Sequence, residues 1–188
     1  MGSERSPRAI LILDIDGNLN PYYARHTLKD HPERLPGFEE HSFLDPDWGA
    51  ASVFLQTEEL RRRLSELRQS GVEILWGSAW NEGSNLIFRM LFPEGFEAAP
   101  AIIFPEEIEF SFSVQTWKLS TVRGYIEAHY EDSTPLIWTD DEVFEDGAEW
   151  VSSRTAPGLT IRPERHTGLT TDDWARISAF VADLSDRI

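Results

Sequence analysis

Ile10-Leu11-Ile12-Leu13-Asp14-Ile15-Asp16-Gly17-Asn18-Leu19-Asn20 is the stretch that decides the fold. A near-continuous apolar run of this length is the signature of a strand buried on both faces of a parallel sheet. The run delivers two acidic side chains, two residues apart, into a glycine turn. Ligands of open α/β sheets bind just past the carboxyl ends of such strands. Two carboxylates at that place suit the holding of Mg²⁺ while one of them attacks a phosphoryl group.

Outward from this run, strands and helices alternate. Residues 20–47 carry prolines, glycines and mixed charge, and about thirty residues is long for a loop, a length typical of functional lids. Within that segment, 38–44 and 51–55 flank Asp45-Pro46-Asp47-Trp48-Gly49, which predicts a flap hairpin. The spacing of Leu60, Leu64 and Leu67 predicts a helix over 57–69, and Gly71 ends it. A second strand is expected at 72–76, a helix at 81–91, a short third strand at 101–104 and a helix at 114–130. A fourth strand at 135–138 runs into Thr139-Asp140-Asp141, followed by a helix at 143–152, a fifth strand at 159–161 and a last helix at 170–184. Thr170 and Asp173 have the spacing of a capping box. The alternation predicts an α/β, Rossmann-like three-layer sandwich of about five parallel strands with helices on both faces. The expected organisation is one domain over 1–188, with 21–55 as a small flap and no large cap.

Composition narrows the function classes. The 188 residues include no cysteine, which excludes disulfides, zinc–thiolate sites and cysteine nucleophiles. The formal charge of -16 opposes extended binding to a phosphate backbone, which needs clustered Lys and Arg. No apolar segment approaches the roughly 18–20 residues that span a bilayer. The polar start, Met1 to Arg8, and the short run after it do not read as a signal peptide, so a cytoplasmic location is expected.

Four chemical signals fall near the ends of successive elements: Asp14/Asp16, Ser78, Lys118 and Asp140/Asp141. Phosphoryl transfer needs a nucleophile, a proton donor for the leaving group, a metal and fixed donors on the phosphoryl oxygens. Asp14 is the candidate nucleophile and Asp16 the candidate general acid and base. Gly17 permits the tight turn. Asp14, the Asp16 carbonyl, and Asp140 or Asp141 would hold Mg²⁺, with Asp140 favoured as direct ligand and Asp141 as direct or water-mediated support. Ser78 and Lys118 would hold the phosphoryl oxygens. Each signal has a plainer reading by itself: an Asx-turn, a loop serine, a surface lysine, and helix-start acids favoured by the dipole. A calcium loop is excluded, because Leu19 stands where an EF-hand needs Gly and Arg25 where it needs Glu. Four plain readings in this order are less economical than one site.

The pattern resembles the haloacid dehalogenase-like (HAD) superfamily of aspartate-dependent phosphohydrolases. Asp14-Ile15-Asp16-Gly17-Asn18-Leu19 resembles its first motif, Ser78 its second, Lys118 its third and Trp138-Thr139-Asp140-Asp141-Glu142 its acidic fourth. The chain is further similar to small proteins related to the HAD domain fused in bacterial RNA-repair proteins. Asp16-Gly17-Asn18-Leu19-Asn20-Pro21, Leu75-Trp76-Gly77-Ser78-Ala79-Trp80 and Trp117-Lys118 carry that similarity, with the fourth motif. The resemblance implies a five-stranded Rossmann-like core and a Mg²⁺-dependent phosphatase site. Asp16 points to a leaving group that needs a proton, since family members that displace halide do not use this second acid.

The expected substrate is a phosphorylated small molecule or a phosphorylated nucleic-acid end. Only about forty residues separate Ser78 from Lys118, too few for a large cap, so the crevice is expected to be fairly open. Tyr22, Tyr23, His26, His41, Trp48 and Trp80 are candidate wall residues, although packing or plain surface is the commoner role for each. Arg5, Arg8, Arg25, Lys29 and Arg34 would be the source of any local basic patch. The competing class is a non-catalytic module that binds Mg²⁺ or a phosphorylated ligand.

Overall fold

The computed structural model describes residues 6–45, 49–95, 97–105 and 115–184. Its centre is β1 (Ala9–Leu13), every residue of which is buried. Alternate side chains leave a strand on opposite faces. Ala9, Leu11 and Leu13 accordingly enter one apolar cluster, while Ile10 and Ile12 enter a second. Full burial of each large aliphatic side chain is worth roughly 1.5–3 kcal/mol. A charge inside this strand would therefore be costly, and the acids begin only where the chain leaves the sheet.

The sheet has four strands in the order β4-β1-β5-β6, all parallel, with β4 at Val72–Trp76, β5 at Leu136–Thr139 and β6 at Gly158–Ile161. One face is covered by α2 (Thr57–Gln69), α3 (Asn85–Leu91) and α6 (Thr171–Asp183) through Leu60, Leu64, Phe88, Leu91, Trp174 and Ile177. The other face is covered by α4 (Leu119–His129) and α5 (Glu145–Ser153) through Val122, Ile126, Trp150 and Val151. This is a Rossmann-like three-layer sandwich. Thr170 caps α6 by accepting from the Asp173 N–H at 3.2 Å, and the Asp173 carboxylate takes the Thr170 N–H in return.

The short third strand expected at 101–104 is reduced to a single bridge, Trp76 with Ala101, which leaves four strands in the sheet where about five are expected. The Ile102 N–H still meets the Trp76 carbonyl at 2.9 Å, but the groups beyond it bond elsewhere. Pro100 and Pro105 bracket the segment and bring no N–H. The Asn81 side chain takes the Phe104 N–H at 2.7 Å and donates to its carbonyl at 3.2 Å, satisfying what would have continued a ladder. The helix expected at 114–130 begins later, at Leu119, after a turn through Trp117 and Lys118; Val114 lies outside the described residues.

Between β1 and α2 the chain forms a short helix, α1 (Ala24–Asp30), and an antiparallel hairpin, β2 (Glu39–Asp45) with β3 (Gly49–Leu55). Val53 and Leu55 join the main core and Phe54 packs with Ala24 and Leu35, so the hairpin base is anchored beside the first-strand loop.

Candidate active site

The strands end in step. Leu13 pairs beside both Trp76 and Thr139, and Thr139 beside Ile161. The next residues, Asp14, Gly77, Asp140 and Arg162, therefore come off one edge of the sheet together. Asp14 is held there by its N–H to the Thr139 carbonyl at 3.2 Å, and Gly77 by its N–H to the Leu13 carbonyl at 3.0 Å.

Lys118, in the turn before α4, reaches this edge from the helical layer and is 3% exposed. Its Nζ donates to Asp14 Oδ2 at 2.6 Å and to Asp140 Oδ2 at 2.8 Å. The other oxygens accept main-chain N–H groups, Asp14 Oδ1 from Ile15 and Asp140 Oδ1 from Glu142, each at 2.8 Å. Asp141 completes the group: Asp14, Asp140 and Asp141 each offer an oxygen, and these lie within 4.8 Å of one another. Gly17 makes room for it. A Cβ on Gly17 would come 2.4 Å from Asp141 Cγ, and its φ of +70° is one that other residues adopt only under strain.

Ionised, the three carboxylates outnumber Lys118 by two charges. Burial raises the pKa of Asp14, against the opposing pull of Lys118. Burial likewise lifts Asp140 to about 7, partly offset by Lys118, and Asp141 to about 6. Burial by itself would lower Lys118; Asp14 and Asp140 outweigh it and hold the ammonium well above the usual lysine range. Asp141 Oδ2 is buried and accepts no hydrogen bond among the described residues, although Arg165 Nη2 lies 3.2 Å away. Hard oxygen donors, carboxylate charge left in excess after Lys118 and Arg165 are counted, and a buried Asp141 oxygen that accepts no hydrogen bond among the described residues fit Mg²⁺.

Asp16 stands apart from that trio. Its Oδ2 accepts from Trp80 Nε1 at 2.7 Å and its Oδ1 from Asn20 Nδ2 at 2.8 Å. Both partners lead to the hairpin: Asn20 Oδ1 accepts the Phe54 N–H at 2.9 Å, and the Trp80 ring packs 5.9 Å from that of Phe43. Ser78 is buried two residues beyond β4; its Oγ accepts the Trp80 N–H at 3.4 Å and donates no hydrogen bond among the described residues.

The model of the HAD domain in Swiss Army Knife RNA repair proteins matches residues 10–174. The chain belongs to this family. A search of curated proteins gave no significant match. Membership supports a phosphohydrolase or RNA-repair-related role for this HAD domain, and HAD domains generally use Mg²⁺. No helix among the described residues is long and apolar enough to cross a membrane.

Of the candidate wall residues, Trp80 and Tyr22 lie at the site. Tyr22 carries the Arg165 guanidinium 5.4 Å over its ring. Partial burial, then the charges of Asp141, Asp16, Glu142 and Asp14, push its phenol up to about 12. Tyr23 is exposed and stacks on His166. His41 instead contacts Thr57 Oγ1 at 2.7 Å, His26 is exposed on α1, and Trp48 lies outside the described residues. Two of the residues that would make any basic patch are engaged elsewhere. Arg8 sits before β1, at the opposite edge of the sheet, and donates to the Val181 carbonyl. Arg25 is engaged by Glu40 and Ser52, and Arg5 lies outside the described residues.

Several residues at the site have no role assigned from the sequence. Asn18 is buried and ties the Asp14 carbonyl, at 2.9 Å, to Thr139 Oγ1, at 3.2 Å. Arg165 faces Asp141 and Glu142, and Arg162 donates to the Asp141 carbonyl at 3.0 Å. Asn18, directly before the apolar Leu19 in the turn after the first strand, is a readable signal in the sequence. The arginines had none, because no motif marks the segment after β6.

Proposed function

We propose that the protein is a Mg²⁺-dependent phosphomonoesterase working through an aspartyl phosphate on Asp14. The observation that carries this reading is the Lys118 ammonium bonded to both Asp14 and Asp140 within a three-carboxylate group at the carboxyl ends of β1 and β5. Asp14, Asp140 and Asp141, with the Asp16 carbonyl, would hold Mg²⁺, which when bound neutralises charge on the phosphoryl oxygens.

Asp14 contributes a carboxylate oxygen that attacks phosphorus as the bond to the leaving oxygen breaks. Asp16 gives that oxygen a proton. Asp16 then takes a proton from water, whose oxygen attacks the phosphorus; the bond to Asp14 breaks, inorganic phosphate leaves and the carboxylate is restored. Lys118 fixes the orientation of Asp14, and the Ser78 hydroxyl donates to a phosphoryl oxygen. Trp80 and Asn20 aim Asp16.

A narrower reading, a phosphatase of phosphorylated nucleic-acid ends, is supported by the family description. The charge of -16 favours a short terminal segment as the ligand over a long duplex. We read the chain as one unit with 21–55 as its cover, acting in the cytoplasm. The test is phosphate release from an aryl phosphate with Mg²⁺, for wild type and Asp14→Asn. Turnover lost in the variant supports the enzyme. No turnover by wild type across a broad phosphoester panel supports a binding module instead.

A further inference from the structure

A phosphoester whose phosphorus sits at Asp14 must direct its leaving group out through the mouth of the site. One side of that mouth is built from two loops bolted together. The loop after β6 closes on itself by the Gly168 N–H to the Glu164 carbonyl at 2.8 Å. It joins the first-strand loop by the Leu169 N–H to the Asn18 carbonyl at 2.8 Å and the Tyr22 N–H to the Arg165 carbonyl at 2.8 Å. Gly168 lies so close that a Cβ there would stand 2.5 Å from the Asn18 oxygen.

This joint sets a graded wall. Nearest the carboxylates is the Arg165 guanidinium, 3.2 Å from Asp141 and 45% exposed. Next is the Tyr22 ring, 5.4 Å from that guanidinium. Outermost is Tyr23, stacked on His166 with centroids 5.7 Å apart and planes 23° from parallel. Tyr23 is 70% exposed, and its φ is +58°, a left-handed conformation that costs a bulky residue energy. A strained, solvent-facing aromatic that follows Tyr22 in the chain and stacks on the neighbour of Arg165 needs a reason beyond packing. Stacked rings next to a guanidinium match a planar base followed by a backbone phosphate.

We propose that Tyr22, Tyr23, Arg165 and His166 form the subsite for the leaving group, and that it takes a nucleotide at the end of a single strand. The base lies on the outer face of Tyr23, and Arg165 meets the next backbone phosphate. The inference rests on the phosphomonoesterase reading for its orientation at Asp14. It adds the residues that select the substrate and predicts that they bind a strand lacking the terminal phosphate.

Two measurements test it. The first is the ratio of kcat/KM for a 3′- or 5′-phosphorylated RNA pentanucleotide to that for glycerol phosphate. The second is calorimetric binding of the same pentanucleotide with hydroxyl ends. Tyr23→Ala should lower the ratio and weaken binding by roughly 5- to 150-fold, the range of one base–aromatic stack. Tyr23→Phe and Tyr23→Trp should restore both. Tyr125, which makes a similar stack on His129 in α4, is the control, and Tyr125→Ala should change neither. If wild type hydrolyses phosphoesters but Tyr23→Ala leaves the ratio and the binding unchanged, the subsite is refuted and the phosphatase reading stands. If no phosphoester is hydrolysed yet binding depends on Tyr23, the catalytic reading falls and the subsite stands. Equal loss in the Tyr125 variant also overturns the proposal.

Discussion

Replacing Lys118 by methionine removes the ammonium that bonds Asp14 at 2.6 Å and Asp140 at 2.8 Å, and leaves two buried carboxylates facing each other. Methionine keeps most of the volume, so the change is chiefly electrostatic. Removing one partner of a buried ion pair typically destabilises by about 3–5 kcal/mol. At roughly 2–4 °C per kcal/mol for a chain of this size, Tm should fall by about 6–20 °C. The loss should depend on pH in a definite direction. Burial raises Asp140 to about 7 and Asp141 to about 6, so the folded protein binds protons that the unfolded chain has released above its ordinary value of 3.8. Stability of the metal-free protein then falls as pH rises from about 4 toward 7. Lys118 is raised, so its own contribution is present throughout this window. Without it the opposing pull on Asp14 and Asp140 is lost and both carboxyls rise further, so the folded variant holds more protons than wild type and its deficit grows from pH 5 to pH 8. Urea unfolding in chelator at pH 5 and pH 8 measures both quantities. A variant within about 1 kcal/mol of wild type at both pH values would refute the idea that Lys118 compensates this cluster.

Metal affinity should respond to the same protons. Calorimetric titration of Mg²⁺ should show binding that strengthens from pH 5.5 to 7.5 with proton release, because Asp140 and Asp141 must ionise to act as ligands; pH-independent binding would contradict this. Trp80→Phe keeps a ring against Phe43 but removes the N–H that holds Asp16. A charge-assisted hydrogen bond of about 1.5–3 kcal/mol sets the loss at roughly 10- to 150-fold in kcat for an alkyl phosphate. The loss should be smaller for an aryl phosphate, whose leaving group needs less proton transfer; equal losses would count against the aiming role. Gly17→Ala combines a left-handed backbone with a Cβ 2.4 Å from Asp141 Cγ. It should destabilise by about 1–3 kcal/mol in urea unfolding and weaken Mg²⁺ binding by displacing Asp141.

The legible parts were those in which one local pattern carries one physical consequence. The unbroken apolar run before Asp14 announced a two-sided parallel strand, and its odd and even side chains do enter separate cores. The Leu60, Leu64 and Leu67 spacing gave α2, and Thr170 with Asp173 gave the cap of α6. Asp14, Lys118, Asp140 and Asp141 were named from their places at element ends, and the sheet brings them together. Contacts decided at long range were not legible. Ala101 to Phe104 has the apolarity of a strand, but Asn81, about twenty residues earlier, takes the Phe104 groups that pairing would have used. The sequence makes Trp80 one candidate among several wall residues, yet its indole reaches Asp16 across sixty-four residues of chain. Arg165 lies in a loop without periodicity, and long-range bonds such as those of Asn18 and Tyr22 to that loop bring it to Asp141.

The central claim is that Asp14 itself carries the phosphoryl group. The most direct measurement is to acid-quench the protein during turnover of an aryl phosphate, reduce it with borohydride and sequence the tryptic peptide that contains Asp14 by mass spectrometry. An acyl phosphate is reduced to an alcohol, so the account predicts homoserine at position 14, formed only when substrate and Mg²⁺ are both present. Sustained phosphate release with an unmodified Asp14, or undiminished turnover by Asp14→Asn, would contradict it.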